Sequence, residues 1–209
     1  MQHHLNKQPI CRSFVSDFKV EGNKVVGLAA VYESRTNIGN MFTEVIERGA
    51  FDGSDLTDVL FFVNHDMNKI PLARSRRNNG NSTMTLSLDE RGLNMEALLD
   101  VEGNSEAKAL YSAISRGDIS GMSFLFTIKE DTWENLNSEM PTRRIKKIAR
   151  VREVSAVNFP AYQETEILAR DGVSLESEQQ ALDQARALGV ETQQRCEIWR
   201  LRNAILAQK

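Results

Sequence analysis

The stretch RGDISGMSFLF, Arg116–Phe126, decides the fold. Met122, Phe124 and Phe126, with Ile128 just beyond, alternate with Gly121, Ser123, Leu125 and Thr127. That period of two sends successive side chains to opposite faces of a strand. One face is apolar and carries Ser120; the other carries Ser123, with Gly121 beside it leaving room for a substrate backbone. The preceding stretch, Ser105–Arg116, has a different period: Ala107, Leu110, Tyr111 and Ile114 share one helical face, Ser105 is the candidate cap and Gly117 the stop. Further back, Ser82–Leu88 and Leu93–Leu99 read as strands joined by the turn Asp89–Gly92, and Phe14–Val20 and Val25–Tyr32 as strands about Glu21–Lys24. Thr43–Ile46 is a short strand leading into a turn at Glu47–Phe51. Val59–Val63 is apolar on both faces, which predicts a buried strand, and it runs directly into Asn64, His65 and Asp66. Toward the C-terminus, residues 130–142 form a polar loop and Ile145–Phe159 a long strand stopped by Pro160.

The chain outside this region has another character. Residues 1–13 read as a flexible leader, 14–170 as one mostly β domain with helices, and 171–209 as a helical tail. In the tail Leu175, Leu182, Ala185 and Leu188 make one stripe, and Ile198, Leu201, Ile205 and Leu206 a second after a break at Gly189, which predicts one or two amphipathic helices. The chain of 209 residues is 41 % hydrophobic and 26 % charged, a globular composition with enough apolar surface for a core. No apolar run reaches the roughly 18 residues of a membrane-spanning helix, and the start lacks the apolar centre of a secretory signal. Two cysteines near opposite ends argue against a disulfide framework. A net charge of −3 gives no global attraction to nucleic acid or membrane.

Three residues have the chemistry of a site. His65 is the one histidine outside the leader, and it stands where a buried strand leaves the core. Histidine suits proton transfer near neutral pH; the plainer reading is a hydrogen-bonded structural ring. Ser123 becomes a nucleophile only if a base takes its proton, and His65 is the candidate base; otherwise it is a small polar residue on a half-exposed strand. Glu153 lies on the more apolar face of its strand, where a carboxylate needs a partner. That partner is either His65, which it would orient, or a neighbouring arginine. Strand parity by itself leaves open whether Ser123 and Glu153 share a surface. The run 143–152 holds six Lys or Arg and no acid; it reads as a solvated face, with a nucleic-acid-binding β-domain as the competing reading. No His/Cys cluster has metal-ligand spacing and no Gly-rich phosphate loop is present.

Six segments stand in a telling order: VVGLAAVY (25–32), EVIERGAF (44–51), NHD (64–66), DERGL (89–93), RGDISGMSF (116–124) and EVSAVNFPAY (153–162). The series resembles the prohead proteases of tailed bacteriophages, over about residues 12–170. The resemblance implies a fold similar to the herpesvirus assemblins, a closed β-barrel ringed by helices. It implies a serine endopeptidase with His65, Ser123 and Glu153 as catalytic set, Ser120 as rival nucleophile, and Arg143 and Arg144 as candidates for oxyanion support beside backbone amides. It implies no metal or cofactor. It implies, as substrates, a scaffold protein or the scaffold segment of the major capsid protein, and the protease itself. The setting would be the immature prohead in the host cytoplasm, with a homo-oligomer possible and no role for membrane or nucleic acid. The tail would be a targeting or interaction segment removed by self-cleavage. The alternative is a non-enzymatic phage assembly or scaffold-binding protein on the same fold.

Overall fold

The computed structural model describes residues 9–16, 19–158 and 175–206. The first eight residues of the expected leader, and residues 159–174 with the expected strand stop at Pro160, lie outside this set; so do the side chains of Leu175, Leu201, Ile205 and Leu206 from the expected stripes. Eleven strands among the described residues form two sheets. The larger takes β1 (Ile10–Val15), β10 (Gly121–Glu134), β11 (Thr142–Val157), β5 (Phe42–Ile46) and β4 (Arg35–Ile38) in that order, with β6 (Leu60–Val63) beside β11 and β7 (Ala73–Arg74) beside β6. The smaller is β2 (Lys19–Glu21), β3 (Lys24–Val31), β9 (Gly92–Leu98) and β8 (Met84–Leu88), antiparallel throughout. Among the described residues there are two α-helices, α1 (Ser105–Ser115) and α2 (Leu175–Leu206).

This is a mixed α+β fold dominated by strands. The closed barrel expected from the family resemblance is not formed among the described residues: their ladders fall in two separate sheets, and the larger forks at β11 and has β1, β4 and β7 as edges. The physical reason is visible in β10 and β11. Their ladder is regular from Gly121 to Leu125 and then shifts register between Leu125 and Asp131. Such bulges bend a strand pair and strengthen its twist, and the other edge of β11 is divided between β5 at Thr142–Ile145 and β6 at Glu153–Ala156, so the sheet forks there instead of closing.

Further details differ from the sequence reading: in place of one strand over Phe14–Val20, β1 ends at Val15 and β2 begins at Lys19, and β10 and β11 extend into the expected polar loop 130–142, to Glu134 and from Thr142. Strand β1 starts at Ile10, inside the expected leader, because Ile10 and Cys11 are buried. The cap of α1 is Asn104, not Ser105: its side chain accepts from the N–H groups of Glu106 and Ala107. Strand β4 went unread because Arg35-Thr-Asn-Ile38 carries one buried apolar residue; the turn at Gly39 and Asn40, both at positive φ, pairs it with β5. Helix α2 runs through Gly189 as a single helix.

The core lies between the sheets. Met122, Phe124, Phe126 and Ile128 face it as the alternation of β10 predicts, and the rings of Phe124 and Phe126 stack at 4.5 Å. Helix α1 adds Ala107, Leu110 and Ile114. One glycine is dictated by close approach: Gly92, at φ 154°, would place a Cβ 2.0 Å from the Ala30 carbonyl oxygen on the adjacent strand. Near its start α2 packs Leu182 against Ile38 and Phe42, while Leu188, Val190, Ile198 and Trp199 are exposed. Among the described residues no helix is long and apolar enough to cross a membrane.

Candidate active site

Three strands of the large sheet supply the site. Strand β6 lies parallel to the end of β11, with Glu153 opposite Leu60 and Ala156 opposite Val63. Immediately after β6 the chain turns sharply: Asn64 and His65 have φ 51° and 57°. Two successive non-glycine residues in the left-handed region are uncommon and cost energy. Neighbouring bonds hold them there. The Asn64 N–H donates to Ala156 O at 2.9 Å, Asn64 Oδ1 accepts from the Asn158 N–H at 3.1 Å, and the His65 N–H donates to Ser155 Oγ at 3.1 Å. The turn thus brings the His65 ring over β11.

The β10–β11 register answers the question parity left open. Ser123 pairs with Ser155 and Leu125 with Glu153. Directly opposed residues of an antiparallel ladder share a face, so Ser123, Ser155 and Glu153 are on one surface, in the regular part of the ladder. No bulge is needed to bring them together.

Contacts run continuously across that surface. Ser123 Oγ is 2.7 Å from His65 Nε2, and His65 Nδ1 is 2.8 and 2.9 Å from the two carboxylate oxygens of Glu153. The Ser155 hydroxyl donates to Glu153 Oε1 at 2.9 Å. With its proton on Nδ1 facing the carboxylate, the ring presents the Nε2 lone pair to Ser123, which is what proton abstraction from a hydroxyl requires. Ser123 is fully buried, Glu153 is 1 % exposed and the His65 side chain 5 %. Little water is present to screen these interactions.

Cys11 is a member the sequence reading missed. Its Sγ is 3.1 Å from both His65 Nε2 and Ser123 Oγ. Ser123 Oγ also lies 3.0 Å from the carbonyl oxygen of Arg12, which it can reach as a donor. Burial lowers the proton affinity of His65, but hydrogen bonding and charge from Cys11 and Glu153 outweigh it, and its pKa stands well above the ordinary 6.5. The signal for Cys11 was present: Ile10-Cys-Arg-Ser-Phe14 extends the strand pattern into the stretch read as leader. Ser155 was also missed, although it is two residues from Glu153 and therefore on the same face.

Ser120 lies outside β10 and is exposed; its backbone carbonyl accepts from the Ser16 N–H. Arg143 and Arg144 are committed to acids. Arg143 is 2 % exposed, bonded to Asp131 at 2.6 Å and Glu178 at 3.3 Å, with its guanidinium 5.6 Å from the Trp133 ring centroid. Arg144 bonds Glu134 at 2.9 Å. The structure therefore gathers His65, Ser123 and Glu153, and holds Ser120, Arg143 and Arg144 in other contacts. One buried hydroxyl on the site face has no hydrogen-bond partner among the described residues: Ser13 Oγ, on the strand position opposite Ser123.

A buried hydroxyl, a ring and a carboxylate in this order are the working parts of serine hydrolases. Comparison with known proteins narrows the class. Residues 15–180 match the family described as caudovirus prohead serine protease, and the chain belongs to that family. The prohead protease of Enterobacteria phage HK97 is 29 % identical over 162 residues, which is 76 % of this chain and 66 % of that protein. The matched stretch thus falls just short of two thirds of the relative's length. The solved structure of the bacteriophage T4 capsid assembly protease, gp21, is similar over 73 % of this chain and 98 % of that one, with a TM-score of 0.41 and 14 % identity.

Proposed function

We propose that this chain is a serine endopeptidase that cleaves capsid or scaffold proteins, and itself, during maturation of a phage prohead. The observation that carries the reading is the unbroken contact chain from Ser123 Oγ through the His65 ring to Glu153. Ser123 Oγ attacks the scissile carbonyl while His65 Nε2 takes its proton. The ring then protonates the leaving amine, the C–N bond breaks, and an acyl-enzyme remains on Ser123. Water repeats the cycle, losing its proton to His65 and releasing the acyl group as a carboxylate. Glu153 fixes the tautomer and supports the imidazolium. Oxyanion support falls to backbone amides and to the Ser13 hydroxyl, which has no other partner among the described residues. Ser123 is fully buried, so a peptide reaches it only as the groups covering it shift. Family membership supports the substrates and the setting, the interior of the immature prohead in the host. The protease domain in this reading begins with β1 at Ile10, earlier than the expected residue 14, and extends to about residue 170, with 171–209 a segment removable by self-cleavage.

The test is intactness by mass spectrometry after expression, for wild type beside Ser123→Ala and Ser120→Ala, with the capsid or scaffold substrate added. Wild type and Ser120→Ala clip themselves or the substrate, and Ser123→Ala does not. Equal clipping by Ser123→Ala removes the nucleophile assignment. A wild type that cleaves nothing supports the non-enzymatic assembly protein instead.

A further inference from the structure

Behind the site strand lies a buried ionic cluster that the proposed chemistry does not use. Arg12 grips Glu44 with Nε at 2.5 Å and Nη2 at 2.9 Å, and its Nη1 donates to Cys11 O at 2.8 Å. Arg143 bonds Asp131 and lies 3.6 Å from Glu44. All four of these charged residues come from strands of the large sheet. The fifth does not: Glu178, from α2, is fully buried and divides its carboxylate between the arginines, Oε1 2.7 Å from Arg12 Nη2 and Oε2 3.3 Å from Arg143 Nη1.

The charges of the sheet balance without the helix. Arg12 and Arg143 face Glu44 and Asp131, two against two, and Glu178 is a third acid. Removing a carboxylate from such a cluster therefore leaves no net buried cation. It leaves two N–H donors, Arg12 Nη2 and Arg143 Nη1, aimed at the place it occupied. A planar guanidinium is suited to carboxylates by geometry as well as charge, and two converging ones define where the two oxygens sit. Elsewhere among the described residues the helix is held by Leu182 against Ile38 and Phe42 and by Arg186, which donates to Leu136 O at 3.2 Å, while Leu188, Val190, Ile198 and Trp199 are exposed.

We propose that Arg12 and Arg143 form a carboxylate-binding socket, filled in cis by Glu178 and able to take the side-chain carboxylate of another acidic peptide in its place. The occupant is committed to a side chain because the present one is a glutamate seated at full burial. The socket is coupled to the site by covalent adjacency. Arg12 follows Cys11 in β1, and its carbonyl meets Ser123 Oγ. The socket lies on the face of β1 opposite Ser123, because Arg12 alternates with Cys11 and Ser13, so the link to the nucleophile runs through the Arg12 backbone.

The test is chemical rescue in the full-length chain, in a Ser123→Ala background so that the protein stays whole. Glu178→Ala leaves a void with the shape of acetate between the two arginines. Two buried N–H donors lose their partner, and the variant is expected to melt lower than its parent by on the order of 10 °C. Sodium acetate is expected to recover at least half of that loss, while acetamide, and sodium chloride at the same ionic strength, recover none; the parent responds to none of the three. Equal responses to acetate and acetamide, or equal responses of variant and parent, overturn the socket. Should Glu178→Ala not fold, Glu178→Asp against Glu178→Asn decides: the acid melts higher if the socket is real, and equal melting overturns it. None of these readouts involves peptide cleavage, so the outcome is independent of the protease reading.

Discussion

Replacing Glu153 by glutamine keeps its shape and removes its charge, and the surrounding hydrogen bonds set the consequence. In the wild type both carboxylate oxygens accept, one from the Ser155 hydroxyl and both from the Nδ1 side of His65. A glutamine has a single oxygen. The Ser155 hydroxyl donates to Oε1, and if that position keeps the oxygen, the amide NH2 faces Nδ1. Two N–H groups cannot face one another, so the ring proton moves to Nε2, and Nε2 loses the lone pair that must receive the Ser123 proton. Glu153 is 1 % exposed, so solvent cannot restore the arrangement cheaply. The loss is then of a tautomer as well as of a charge, and a wrong tautomer in a Ser–His–acid set costs about 10⁴ in kcat. At about 1.4 kcal/mol per decade that is roughly 5 to 6 kcal/mol of transition-state stabilisation. The assay is the rate of appearance of clipped product, with circular dichroism to establish folding and the His65 ring tautomer read by nitrogen NMR. A folded Glu153→Gln enzyme within about tenfold of the wild-type rate refutes the orienting role.

Other measurements probe neighbouring parts. His65 holds its proton above pH 6.5, and a base must lose it, so cleavage rises with pH with a midpoint above 6.5; Cys11→Ala removes one of the groups raising that pKa and moves the midpoint down, and an unchanged profile counts against the Cys11 contact. By the same sign, the charged ring stabilises the fold fully below pH 6.5, and that contribution is lost as pH rises through the raised value. Ser13→Ala is expected to lower kcat by roughly 100- to 1000-fold at unchanged KM, consistent with loss of one oxyanion donor; a change in KM alone assigns Ser13 to substrate binding instead. Gly92→Ala forces a Cβ to 2.0 Å from the Ala30 carbonyl oxygen, and the β3–β9 ladder must open to admit it; the expected cost is several kcal/mol, on the order of the largest single-residue effects, and a urea midpoint equal to wild type contradicts the close approach.

Local pattern in the sequence determined the parts that depend on local physics. The period of β10, the apolar run of β6, the Asp89–Gly92 turn and the helical face of α1 all follow from side-chain spacing, because the backbone period sets which residues can be buried together. The identity of His65 as candidate base came from scarcity, since one histidine outside the leader left little choice. What the sequence could not determine was anything set by pairing between distant segments. Whether Ser123 and Glu153 share a surface depends on the register between two strands, and a slip of one residue would have put them on opposite faces. The left-handed turn at Asn64 and His65 is held by Ala156, Ser155 and Asn158, all far along the chain. The pattern of Ile10–Phe14 signals a strand at Cys11 and Arg12 but not its neighbours; pairing of β1 with β10 gives them His65, Ser123 and Glu44. Glu178 reads in sequence as one more acid on a solvated helix, and only docking of α2 against two buried arginines made it a fully buried carboxylate. Burial is a property of the assembled sheets, and electrostatic meaning depends on burial.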